Sequence, residues 1–209
     1  MSKTELQHEG SIPSLTAFFM IIEEQNFISD FEHNGLLSIL DRYVQDETFD
    51  NNVFYKWYEI STNDPLRKLK FIENLVKKHF ELLSKKVEKR TWKINYMGFA
   101  YQTAGFPYHA DSMWPADDSD RYLGDPSHND NNFINYEGEW VPNYVPTRLF
   151  TTVLYLNQVE GGETDFPALG IRLTPEPKKI VGFHCDENHI HGVMPTTFGV
   201  RKAFIIWYE

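Results

Sequence analysis

Tyr108-His109-Ala110-Asp111 places an imidazole and a carboxylate two positions apart. On an extended strand such a pair points to one face and can share a metal ion. His-x-Asp by itself also arises by chance, mostly at surfaces, so a third donor has to come from elsewhere in the chain. Three late histidines, His184, His189 and His191, are candidates. Ten positions after the last stands Arg201, opening the alternating run Arg201, Ala203, Ile205, Trp207. That parity aims a guanidinium to the same side as three apolar side chains, where it needs a partner. Its planar donor fork suits a carboxylate. The partner is either a bound dicarboxylate or, at a strand rim, one of the chain's own acids.

Two imidazoles and one carboxylate on one face of a metal leave open positions for a chelating cosubstrate and O2, an arrangement suited to non-haem Fe(II). Structural zinc prefers four closed protein ligands with cysteine prominent. This chain has one cysteine, Cys185.

The elements that must position these residues are legible in outline. Leu15 to Ile22 reads as a short strand. Ser29-Asp30-Phe31-Glu32 fits a capping box opening a helix to about Tyr43. A second helix is expected from Pro65 to about Lys89-Arg90, with Leu66, Leu69, Ile72, Leu75, Val76, His79, Phe80 and Leu83 at helical spacing. His79 lies on that stripe and reads as a core histidine. From Trp92 onward the pattern turns to β-structure, with runs at 148–157, 170–174, 179–184 and 201–208. Helices first and strands afterwards predict an α+β chain with a mainly β core, the N-terminal helices packed on one sheet of a sandwich or open barrel. Residues 1–12 form a polar tail. Residues 112–147 form a long polar insertion with interleaved aromatics, either an ordered lid or a pinned surface loop.

Composition narrows the partners. With 41% hydrophobic and 15% aromatic residues in 209, the chain is expected to fold as a single domain. A net charge of -10, from 20 basic and 30 acidic residues, disfavours nucleic acid and anionic lipid. The apolar run Ala17 to Ile22 is far below the ~20 residues a membrane span needs, and the N-terminus lacks an apolar signal core. One cysteine excludes an intrachain disulfide and suits a reducing, cytoplasmic setting. Oligomeric state leaves no mark in the sequence.

The ordered set Tyr101…Gly105, His109-Ala110-Asp111, Arg148 to Asn157, Gly161-Gly162-Glu163-Thr164-Asp165-Phe166-Pro167, His191-Gly192-Val193 and Arg201…Trp207 resembles the prolyl 4-hydroxylase branch of the Fe(II)/2-oxoglutarate dioxygenases. The likeness covers roughly residues 92–209. It implies a double-stranded β-helix, or jelly roll, making 1–209 a single dioxygenase domain. It implies Fe(II) on His109, Asp111 and His191, the last favoured over its neighbours by its spacing to Arg201. It also implies 2-oxoglutarate as cosubstrate and ascorbate as a further cofactor. Arg201 would then pair with the distal carboxylate of 2-oxoglutarate, Tyr155 would donate to the same group, and Tyr101 or Tyr96 would line the pocket. Asp111 argues against halogenation, since halide-binding relatives lack that carboxylate. Trp207, where nucleic-acid repair dioxygenases carry a second arginine, disfavours that branch. The implied substrate is a prolyl residue in a peptide or protein. A free amino acid or other small molecule is the alternative, because likeness fixes a reaction better than a substrate. A cupin-like metal or sugar-binding module is the non-catalytic alternative, and it would not need Arg201 with Tyr155.

Overall fold

The structure, a computed structural model, describes residues 20–45, 54–115, 140–143 and 145–209. The expected polar tail, most of the expected first strand and most of the 112–147 insertion lie outside those residues. Strand β1 (Ile22–Glu24) begins where the first strand was expected to end.

Helix α1 (Asp30–Val44) starts as expected from its capping box. Ser29 Oγ accepts from the Glu32 amide at 3.3 Å, and the Glu32 carboxylate accepts from the Ser29 amide at 2.8 Å. The second helix is shorter than its apolar spacing predicts. Asp64 caps a single 3-10 turn at Pro65–Lys68, Leu69 adopts an extended conformation, and α2 runs only over Lys70–Lys86. Asp64 Oδ1 accepts from the Leu66 amide at 2.9 Å, so the local cap satisfies a separate turn before the true helix begins.

The remaining elements are strands: β2 (Tyr55–Glu59), β3 (Ile94–Gln102), β4 (Phe106–His109), β5 (Met113–Pro115), β6 (Trp140–Pro142) and β7 (Phe150–Tyr155), then β8 (Glu160–Gly161), β9 (Thr164–Phe166), β10 (Ile171–Leu173), β11 (Ile180–His184), β12 (His191–Val193), β13 (Thr196–Phe198) and β14 (Arg201–Tyr208). The major sheet has the order β1-β11-β7-β14-β3-β2 and the minor sheet β10-β9-β12-β4, with every strand pairing among the described residues antiparallel. From β7 to β14 the chain passes back and forth between the two sheets, with β7, β11 and β14 in the major and β9, β10 and β12 in the minor, which is the winding of a jelly roll. At the base of the long insertion, β5 and β6 pair with each other.

Strand parity divides the core in two. Phe150, Leu154, Phe204, Ile206 and Tyr208 face the helices and pack with Leu36, Leu40, Leu75 and Leu83. Val153, Tyr155 and Ala203 point the other way, toward Phe166 and Leu173 of the minor sheet. The helices therefore brace one face of the major sheet, and the other face is free to build a site.

His79 is a core histidine, as its stripe predicts. It is fully buried on α2, with Nδ1 2.7 Å from the Tyr208 hydroxyl and 3.1 Å from Thr152 Oγ1. Its Nε2 has no partner among the described residues. Burial pushes its pKa down to about 3, so it folds as a neutral ring. In the unfolded chain the same ring takes a proton near pH 6.5. Its contribution is thus complete above about pH 6.5 and is lost as pH falls toward about 3. Denaturant titrations of the metal-free protein should show stability declining over that window, by on the order of 1.4 kcal/mol per pH unit from this group. His79→Gln should flatten the limb. An equally steep limb in that variant would exclude His79 as its source.

Candidate active site

His109 ends β4, and the register of β12 against β4 sets His191 directly opposite it. The ring centroids are 4.4 Å apart. Asp111 was expected to share an extended strand with His109. Instead the strand stops at His109 and the chain bends at Asp111, turning the carboxylate back until Oδ1 lies 3.5 Å from His109 Nε2. The ligand atoms of His109, Asp111 and His191 all lie within 4.8 Å of one another, the one such His/Cys/Asp/Glu group among the described residues.

The backbone fixes both rings. His109 Nδ1 is 2.8 Å from the Pro107 carbonyl and His191 Nδ1 is 3.0 Å from the His189 carbonyl. Each Nδ1–H donates there, so in the neutral ring Nε2 carries the lone pair that a metal would take. Gly192 allows the close approach of these strands: a Cβ there would stand 2.9 Å from the Tyr108 ring and 3.0 Å from the Phe106 carbonyl.

Charge states suit a divalent cation. Burial pushes His191 down to about 4, helped by the charge of His109, so it is a neutral donor at ordinary pH. Burial would raise the Asp111 carboxyl. The imidazoles of His109 and His191 beside it and the Thr151 hydroxyl outweigh it and hold the carboxyl below the usual range. Two imidazole nitrogens, one carboxylate oxygen and no thiolate fit Fe(II) with open positions better than a closed zinc site.

His184 and His189 stand apart from this group. His184 ends β11, edge-on to Phe150 at 5.0 Å. His189 is buried with Nδ1 2.6 Å from Asp186.

Arg201 is 2% exposed and opens into the same cavity of about 740 Å³ as the triad. Nη1 donates to Gln102 Oε1 and Nη2 to Thr164 Oγ1, both at 3.4 Å, while Nε has no partner among the described residues. Among the described residues no carboxylate pairs with it. A buried guanidinium left so lightly held is a cradle for an anion that the protein itself does not supply. Glycine makes the room: Gly162 sits at φ +70°, and a Cβ on it would stand 3.2 Å from Arg201 Cδ.

The tyrosines divide. The Arg201 guanidinium carbon lies 5.3 Å from the centre of the Tyr155 ring, and the Tyr155 hydroxyl is 2.7 Å from Thr164 Oγ1, the atom Arg201 also reaches. Tyr155 is thus beside the cradle but behind the cavity wall. Tyr101 does not line the cavity. It stacks on Phe54 at 5.5 Å and packs with the helix-side core. Tyr96, Ala100 and Gln102 share a parity on β3 and face the cavity, so Tyr101, five positions from Tyr96, must face away. Thr164, Gln102, Thr151 and Arg148 also line the cavity and were not singled out from sequence. Thr151 had a signal, its inward parity on an expected strand, and Thr164 stood in the Gly161 to Pro167 motif. Gln102 had none beyond lying opposite Arg201 in register.

A two-sheet jelly roll with helices on one face, a His/Asp/His cluster and a buried arginine inside it define a class of metal-dependent oxygenases. Residues 100–209, more than half the chain, match the sequence profile of the 2OG-Fe(II) oxygenase superfamily. The chain belongs to that superfamily: it is an Fe(II)- and 2-oxoglutarate-dependent dioxygenase, which replaces the reading as a non-catalytic binding module. No curated protein sequence matches it. Among solved structures it is similar to the viral collagen prolyl hydroxylase of Paramecium bursaria Chlorella virus-1 in complex with 2OG, at 19% identity and TM-score 0.59, covering 90% of this chain and 94% of that one. It is similar to a Pseudomonas putida prolyl-4-hydroxylase at 15% identity and TM-score 0.56, covering 90% and 91%. A Trichoplax adhaerens prolyl hydroxylase, solved with a peptide fragment of the hypoxia inducible factor oxygen degradation domain, is similar at 17% identity and TM-score 0.59, covering 90% and 82%. At these identities the likeness is one of fold.

Proposed function

We propose that the chain hydroxylates prolyl residues of a peptide or protein, with His109, Asp111 and His191 holding Fe(II) and Arg201 holding the distal carboxylate of 2-oxoglutarate. The observation that carries the site assignment is the buried Arg201, unpaired with any described carboxylate and open to the cavity of the triad. Support for the substrate comes from the outer walls and from the fold. Tyr55 and Tyr96 are each 39% exposed at the cavity, beside Trp57 and Trp207, and three neighbouring structures are prolyl hydroxylases. Such flat aromatic surface suits a pyrrolidine ring.

Bound Fe(II) with 2-oxoglutarate and O2 supplies the oxidant: one oxygen enters a substrate C–H bond, the other enters succinate, and CO2 leaves. The chain's own residues position and protect. The Pro107 and His189 carbonyls fix the two imidazoles, Asp111 stays ionised, and Arg201 with Thr164 and Gln102 orients the cosubstrate from its far end. Val153, Phe183, Val193 and Ile205 give the cavity apolar walls that exclude water near the metal.

A free amino acid is the second reading, and Arg148 favours it. Its guanidinium faces the Trp207 ring at 4.5 Å and Tyr96 at 5.5 Å, donates from Nε to Asn95, and meets no carboxylate among the described residues. A substrate's own carboxylate would complete it. Succinate release from 2-oxoglutarate, measured with Fe(II), with and without ascorbate, gives the reaction. Mass spectrometry of proline-containing peptides and free amino acids gives the substrate. A gain of one oxygen on a prolyl peptide supports the first reading, and a gain confined to free amino acids shifts it to the second. No turnover across the panel and no 2-oxoglutarate binding would sink both. A cytoplasmic setting is part of the proposal, resting on the lone buried Cys185. No helix among the described residues is long and apolar enough to cross a membrane.

A further inference from the structure

Asp111 carries two oxygens, and a metal can take one or both. The choice decides how many positions stay open for cosubstrate and O2. The two are already unequal in the structure. Oδ1 faces His109 Nε2 at 3.5 Å, whereas Oδ2 accepts a hydrogen bond from the buried Thr151 Oγ1 at 2.5 Å. A hydroxyl has one proton, and Thr151 spends it on Asp111. Cys185 Sγ lies 3.1 Å from the same Oγ1 and 4.0 Å from Oδ2, so with the hydroxyl proton on Asp111 the nearer acceptor for its S–H is the hydroxyl's lone pair. The frame around them is tied down. Ser112 donates to the Cys185 carbonyl from its amide at 3.0 Å and from its hydroxyl at 2.6 Å, and Asn143 donates to the Asp111 carbonyl at 3.0 Å.

We propose that Thr151 is a positioning residue that makes Asp111 a one-oxygen ligand: its hydroxyl claims Oδ2, Cys185 holds that hydroxyl in place, and only Oδ1 is offered to the metal. This rests on the reading of His109, Asp111 and His191 as the ligands. With three protein donor atoms, a bound metal would keep open positions for a chelating cosubstrate and O2. Without the Thr151 proton, Oδ2 turns to the metal and occupies a position the reaction needs. Thr151→Val tests this, since valine keeps the shape and removes the hydroxyl.

Co(II), whose visible spectrum reports coordination, is the probe. Thr151→Val should bind Co(II) about 10–100-fold more weakly than the wild type, the usual cost of losing a group that orients a ligand. Its ligand-field spectrum should also change. Thr151→Ser should match the wild type in both measurements, which a purely structural role for the threonine methyl would not produce. Wild-type affinity and an unchanged spectrum in Thr151→Val, with Co(II) lost from His109→Ala, would overturn the proposal and leave the ligand assignment standing. Co(II) binding unaffected by His109→Ala would instead overturn the ligand assignment beneath it.

A measurement on the unmutated chain avoids any dependence on the folding of the valine variant. Infrared difference spectra of protein with carbon-13-labelled aspartate, taken on adding Zn(II), report the splitting of the carboxylate stretches. A widened splitting is the signature of one-oxygen ligation and supports the proposal. A narrowed splitting shows both oxygens on the metal and refutes it.

Discussion

Arg201→Leu should lose 2-oxoglutarate while keeping the fold. Truncating one partner of a buried, hydrogen-bonded charge pair costs ~2–5 kcal/mol, which is roughly 30-fold to several-thousand-fold in affinity. The arginine is buried beside Gln102, Thr164 and the Tyr155 ring where it opens into the cavity, and leucine offers the cosubstrate none of its hydrogen bonds. The ligand-free protein should respond oppositely. Its guanidinium is buried without a carboxylate among the described residues, and replacing an uncompensated charge by an apolar side chain is neutral or stabilising. Arg201→Leu should therefore melt no lower than the wild type without ligand, yet gain little from added 2-oxoglutarate. Arg201→Lys should fall between, because a point charge reaches the same carboxylate without the planar fork. Cosubstrate affinity unchanged in Arg201→Leu would remove this residue from the site.

The second large effect separates two histidines that differ by two positions. His191→Ala should abolish Fe(II) binding, because on the proposed ligand set it deletes one of the three donor atoms grouped among the described residues. His189→Ala should leave metal binding intact. What His189 gives to the site is its backbone carbonyl, which accepts from His191 Nδ1 and survives the substitution. Its ring belongs to a different contact, the bond to Asp186, and Nε2 is buried without a partner among the described residues. Losing that ring costs stability, on the order of 1–3 kcal/mol for the broken bond. Calorimetric titration with Fe(II) under anaerobic conditions distinguishes the pair. Iron binding retained by His191→Ala and lost by His189→Ala would reassign the third ligand.

Much of the framework is local and so could be read directly. The Ser29–Glu32 capping box starts α1 because both bonds lie within one turn. The inward set Arg201, Ala203, Ile205, Trp207 follows from the two-residue repeat of a strand that spans all of them. The same rule, applied to Tyr96 and Tyr101 together, would have shown that the two cannot share a wall. Periodicity alone overstates the second helix. Leu66 and Leu69 fit the apolar spacing, but Asp64 closes its own short turn and Leu69 is extended before α2 begins. Residues 116–139 offer no test of the lid expectation, lying outside the described part.

By itself the sequence determined the chemical types on hand: a His-x-Asp pair, later histidines, an inward arginine and a β-rich frame for them. It did so because residue identity, capping and strand parity are properties of a few neighbouring positions. Only the tertiary structure decided which of these meet. Pairing of β12 with β4 brings His191 to His109 across more than eighty residues, and a bend after β4, rather than an extended strand, turns Asp111 toward them. The partners that tune the site, Thr151 on Asp111 and Gln102 and Thr164 on Arg201, likewise arrive from distant strands. Their choice depends on sheet register, a long-range outcome of folding that no local pattern encodes.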